Sequence, residues 1–127
     1  MMTRPQRIEY EILECTLNRA THSEGYPSSV AAFTRRLQQY FSDISAQEFT
    51  EACKRLFQQG ALAVGRLKNP VELDGRRDYR GDGDEDFFAD ARQGFYLRRT
   101  SLSRVYLGEL ADHIEAPLGF KPKNLNR

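Results

Sequence analysis

Tryptophan is absent from the 127 residues, cysteine and histidine occur twice each, and proline five times. Each scarcity removes a class of function. Cys15 and Cys53 stand far apart, both on helical stretches with an apolar face, so two reduced core thiols are expected rather than a disulfide or a metal site. His22 and His113 have no nucleophile or metal-ligand spacing beside them, and no glycine-rich phosphate loop follows a strand. No enzymatic activity, metal or cofactor is therefore expected. Long apolar runs are lacking too. None approaches the roughly 20 residues of a membrane span, and Met-Met-Thr-Arg-Pro-Gln-Arg at the start has no greasy stretch of a secretory leader. A cytoplasmic protein without a membrane partner is the expectation. Nor does one sign of charge dominate: 19 Lys and Arg face 18 Asp and Glu, a net charge of +1. Any case for nucleic acid must rest on local patches.

What is present suits one soluble domain, with 39% hydrophobic and 29% charged residues. Thr3 and Pro5 open a helix that should fade near Ala20. Ile8, Ile12 and Cys15 form one stripe on it, and Tyr10, Leu13 and Leu17 a neighbouring one, with Glu9, Glu11 and Glu14 mainly opposite. Thr-His-Ser-Glu-Gly-Tyr-Pro is turn chemistry. Ser28 or Ser29 then caps a second helix with Val30, Phe33, Leu37 and Tyr40 or Phe41 inward and Arg35, Arg36 and Gln39 outward. Ser45 and Glu48 have capping-box spacing at the head of a third helix. Phe49, Cys53, Leu56 and Phe57 make its apolar stripe, with Ala52 at the edge. Gly60 sits where a left-handed residue ends such a helix, and Leu62 and Val64 suit a half-buried strand over 61–67.

Residues 68–92 are dense in charge and glycine and read as a long mobile loop. Asp82, Asp84 and Asp86 start like a calcium loop, but Phe87 and Gln93 stand where its glycine and glutamate belong. Gly94-Phe-Tyr-Leu-Arg-Arg-Thr100 restores a strand, with Phe95 and Leu97 on one face and Tyr96 and Arg98 on the other. Thr100 or Ser101 caps a last helix ending at Ala116-Pro117. The segment 117–127 is a basic tail.

This order of elements resembles the winged helix-turn-helix superfamily, most specifically in Ser45–Leu67 and in Gly94–Thr100, which is similar to the wing strand of bacterial transcription regulators. The resemblance implies an α+β, mostly α fold over residues 1–100. It comprises a three-helix core and a two-stranded wing with a long charged tip, and a C-terminal helix over 101–116 follows it. A first strand common in the superfamily would have to fit within 21–27. Such proteins are dimers that place the third helix, here 46–59, in the major groove of double-stranded DNA. The outward residues Gln47, Thr50, Glu51, Lys54, Arg55 and Gln58 would read bases. Arg35, Arg36, Arg66, Lys68, Arg98 and Arg99 would hold phosphates. The stripe Leu102, Val105, Tyr106, Leu110 and Ile114 on the last helix would form a homodimer interface. The alternative is the same fold used as a protein-interaction module without DNA binding, for which a neutral net charge and an acidic tip would be natural.

Overall fold

Helix α1 (Arg4–Arg19) is covered on more than one side. Ile8 through Leu13 are buried without interruption, as are Thr16 and Leu17. The computed structural model describes residues 2–19, 25–67, 77–79, 81 and 87–113 of the chain. Within them the order is α1, β1 (Tyr26–Ser29), α2 (Val30–Leu37), α3 (Ala46–Gln58), β2 (Ala63–Arg66), β3 (Arg77–Asp78), β4 (Gly94–Arg98) and α4 (Ser103–Ala111). The architecture is α+β, four helices on a small antiparallel sheet of order β1-β4-β2-β3. Lys68, Ile114, the three tip aspartates and the tail 117–127 lie outside the described residues.

Several local expectations hold because the chemistry that sets them is local. Ser45 Oγ accepts from the Glu48 N–H at 3.1 Å, and Glu48 Oε1 accepts from the Ser45 N–H at 3.2 Å. An N-cap of this kind stabilises a helix by about 1 kcal/mol. At the other end Gly60 has φ +75°, which lets Gly60 N–H reach Phe57 O and Ala61 N–H reach Leu56 O. Those two bonds satisfy carbonyls that the helix end would otherwise leave bare. Ser29 is the residue that caps α2, accepting from the Ala32 N–H at 3.2 Å.

Other expectations need correction. Glu9 and Glu11 do not face away from the core; both are buried, Glu9 where α1 meets α3 and α4, and Glu11 on the side of α1 toward Arg36 and Gln39. Helix α2 stops at Leu37, so Tyr40 is exposed, and Phe41 is half-buried with the Arg4 guanidinium 5.4 Å from its ring centroid. The sheet is more than a two-stranded wing. β4 is its centre, pairing Tyr26–Ser29 with Leu97–Gly94 on one side and Ala63–Arg66 with Arg98–Phe95 on the other. Phe95, Tyr96 and Leu97 are consequently all buried, and neither face of β4 is open. The first strand falls at 26–29, overlapping the end of the window 21–27 and running two residues past it. It enters through Gly25, whose φ of +91° strains any other residue and where an added Cβ would come within 3.0 Å of the Tyr96 ring.

The long loop also returns to the body. Phe87 and Phe88 are buried in the main core. Phe88 meets Phe49 edge-on at 5.9 Å and Phe95 at 5.3 Å between ring centroids. Phe87 packs on Tyr79 at 4.6 Å, and Tyr79 packs on Phe57 of α3 at 5.3 Å. Beside them the Ala31 N–H donates to Ala91 O, which ties the returning loop to the head of α2.

Candidate functional site

Helix α3 is held on three sides, which decides what its fourth side can present. Phe49, Ala52, Cys53 and Leu56 enter the core. On the flank toward α1, Arg4 Nε donates to Glu48 Oε2 at 2.8 Å and Arg4 Nη2 to Asp43 Oδ1 at 2.9 Å. Hydrogen bonds from Arg4 hold both carboxyls below their ordinary range. The stability this clasp contributes is therefore present at neutral pH and is lost as pH falls through those depressed values. On the opposite flank Phe57 packs on Tyr79. Each contact fixes the rotation of α3 about its own axis.

The side left outward carries Gln47, Glu51, Lys54 and Gln58, at i, i+4, i+7 and i+11. Gln47, Glu51 and Gln58 are exposed; Lys54 and Thr50 are half-buried. Gln47 Nε2 donates to Glu51 Oε1 at 3.0 Å, and Thr50 Oγ1 donates back to Gln47 O at 3.0 Å. Arg66 is exposed on β2, its guanidinium 4.6 Å from the Phe87 ring centroid. The chain of rings Phe57, Tyr79 and Phe87 joins it physically to α3. Arg35 is exposed on α2, and the Arg36 guanidinium lies 5.7 Å from the Tyr26 ring centroid. Arg98 Nη2 is 3.4 Å from both carboxylate oxygens of Asp78, which also accepts from the Tyr96 hydroxyl.

Two expected contact residues are turned into the body. Arg55 Nε donates to Glu9 Oε2 at 2.7 Å, and Glu9 Oε1 accepts from the Tyr106 hydroxyl at 2.9 Å. Three helices thus meet at one buried carboxylate. Burial, and then the Glu9 hydrogen bond, push the Tyr106 hydroxyl up to about 12. Arg99 Nη2 donates to Leu17 O at 3.2 Å, at the C-terminal end of α1. A cation there satisfies a bare carbonyl and the negative end of the helix dipole together.

The stripe expected on α4 is split. Leu102 and Val105 are 48% and 58% exposed, whereas Leu110 is 3% exposed and packed in the core. Tyr106 is half-buried and committed to Glu9. The buried face of α4 is Ser103, Leu107, Leu110 and Ala111. Its phase is set by two hydroxyls: Ser103 Oγ donates to Ala61 O at 2.7 Å and Thr100 Oγ1 to Gly60 O at 2.6 Å. Apolar periodicity carries no record of such a staple.

With this geometry in place, comparison with known proteins returns no match, whether to family models, to curated proteins or to solved structures.

Proposed function

We propose that the chain is a winged helix-turn-helix protein of the cytoplasm, without enzymatic activity, that binds double-stranded DNA and regulates transcription. Helix α3 would enter the major groove. The carrying observation is the outward face Gln47, Thr50, Glu51, Lys54 and Gln58, kept clear of the core by capping, by Arg4 and by the Phe57–Tyr79 contact. Gln and Lys at those positions match the hydrogen-bonding edges of adenine and guanine. Arg35 and Arg66, both exposed, would serve as phosphate contacts, and the sheet order β1-β4-β2 supports the winged topology. One observation favours the alternative of a protein-interaction module: Arg55 and Arg99 are engaged internally, which thins the positive charge available to DNA.

Binding to preferred and random duplexes across a salt series separates the two readings. Lys54→Ala is expected to weaken the preferred site by about 1–3 kcal/mol more than random DNA. Arg35→Ala with Arg66→Ala is expected to weaken both and to flatten the slope of log K against log salt by about 1.8, two phosphates at roughly 0.9 each. Weak binding that is insensitive to salt and to all these changes refutes the DNA reading.

The same proposal includes a homodimer, now resting on Leu102 and Val105 rather than on Leu110. Their adjacent exposed side chains leave apolar surface that a twofold contact would cover. Val105→Asp is expected to halve the solution mass and leave the helical circular dichroism unchanged. A wild-type protein that sediments as a monomer at high micromolar concentration removes this part.

A further inference from the structure

Between α1 and α2 lies a half-open cavity of about 110 Å³. One wall is Glu11, Glu14, Cys15 and Asn18, which recur at i, i+3, i+4 and i+7 and so share one face of α1. The other wall includes Arg36 and Gln39, with Tyr40 at its edge. Its lining is mainly polar, unlike the dry, apolar voids that packing defects leave.

Glu11 sets the chemistry. The residue is 5% exposed, and its Oε2 is buried with no hydrogen-bond partner among the described residues. Its neighbour Glu9, equally buried, has a partner on each oxygen. Leaving a carboxylate oxygen buried and unmatched costs more than a neutral group would, so such an oxygen is out of character for a purely structural residue. Desolvation pushes the Glu11 carboxyl up to about 7, the charge of Glu14 adds to the rise, and Arg7 opposes it. Among the described lining residues two are carboxyls, and the one arginine has its guanidinium 5.7 Å from the Tyr26 ring centroid.

We propose that this cavity binds a small organic cation with N–H donors, an amidinium or primary ammonium, whose donors are accepted by Glu11. Size limits the ligand to a few heavy atoms, since a cavity of ~150 Å³ is what accepts benzene. A bare metal ion suits the site less well: among the described residues no three His, Cys, Asp or Glu side chains converge as ligands. The site is remote in kind from the α3 face, and the proposal stands whether or not the chain binds DNA.

Titrating acetamidinium chloride into the folded protein while recording backbone amide spectra tests it. Tetramethylammonium chloride, which has no N–H, and magnesium chloride serve as arms at matched ionic strength. Saturable shifts are expected with acetamidinium alone, confined to amides of residues 11–18 and 36–40. For so small a ligand the affinity should fall in the millimolar range. Glu11→Gln keeps shape and removes charge, and is expected to weaken binding about tenfold or more. Its own amide spectrum certifies that the variant is folded, and Glu109→Gln, the same change at an exposed carboxyl on α4 outside the cavity, gives a second variant expected to bind within about twofold of wild type. Absence of saturable shifts in wild type overturns the proposal. So does equal binding by Glu11→Gln, or equal shifts with tetramethylammonium or magnesium, which mark a nonspecific response to cations.

Discussion

Arg55→Met is expected to lower the unfolding free energy by about 3 kcal/mol, a large share of the 5–15 kcal/mol that holds a typical domain together. The Glu9 carboxylate is only 4% exposed at its side chain, and Arg55 supplies the charge that balances it at 2.7 Å. Removing the cation strands a buried anion with a single donor, the Tyr106 hydroxyl. Breaking a buried pair from one side costs about 3–5 kcal/mol; the lower end applies because Tyr106 remains and Arg55 is itself partly hydrated. Urea unfolding measures the loss. Glu9→Gln in the same chain should restore more than half of it, since the stranded charge is then gone. A loss under about 1 kcal/mol would mean that water reaches Glu9 once Arg55 is shortened. The same variant separates two roles for one residue. If Arg55 acts only within the body, duplex affinity measured well below the unfolding transition stays at the wild-type value.

The contrast between Arg55 and Lys54 shows where the sequence is informative and where it stops. Both sit on one helix, both are cations, and periodicity places both away from the apolar stripe. Only the arrival of Glu9 from α1 and Tyr106 from α4 turns one of them inward, and those partners are 46 and 97 positions distant from their contacts. Interactions within five residues were legible for the opposite reason. The Ser45–Glu48 box, the Gly60 turn and the strand pattern at 61–67 and 94–98 need no knowledge of the rest of the chain. The burial of Glu9 and Glu11 had a faint signal in Ile-Glu-Tyr-Glu-Ile-Leu, where apolar residues fall on so many sides that the helix must be enclosed. β1 had almost none. Tyr-Pro-Ser-Ser is poor strand material, and it forms because β4 offers a free edge for it.

Phe88→Ala is expected to cost roughly 3–4 kcal/mol, as for a ring removed from a sealed core. An aromatic residue in a solvated loop tip would cost within about 0.5 kcal/mol. The difference is decisive because the surrounding sequence is polar, and the Phe87-Phe88 pair within it reads either as a fold-back onto the wing or as a contact with a partner. Phe88 is 7% exposed and completes a cluster with Phe49 and Phe95, while Phe49 stacks on Phe33 at 5.1 Å. Phe87 meets it at 4.6 Å between centroids, so losing one ring loosens the seat of the other. The helix and strand rings it touches belong to α3 and β4, and β4, paired on both edges, cannot shift inward without breaking its ladder. A cavity should therefore persist, which puts the cost above that of simple transfer from water. Thermal unfolding of Phe88→Ala beside Leu102→Ala, an exposed apolar residue on α4, gives the comparison within one protein. Because Phe87 carries the Arg66 guanidinium above its ring, loosening it also frees Arg66 from that seat. Duplex affinity of the folded Phe88→Ala protein should then fall by less than that of Arg66→Ala, since the charge survives and only its placement is lost. Equal stability of Phe88→Ala and Leu102→Ala would show that the loop's return to the core carries none of the fold's free energy.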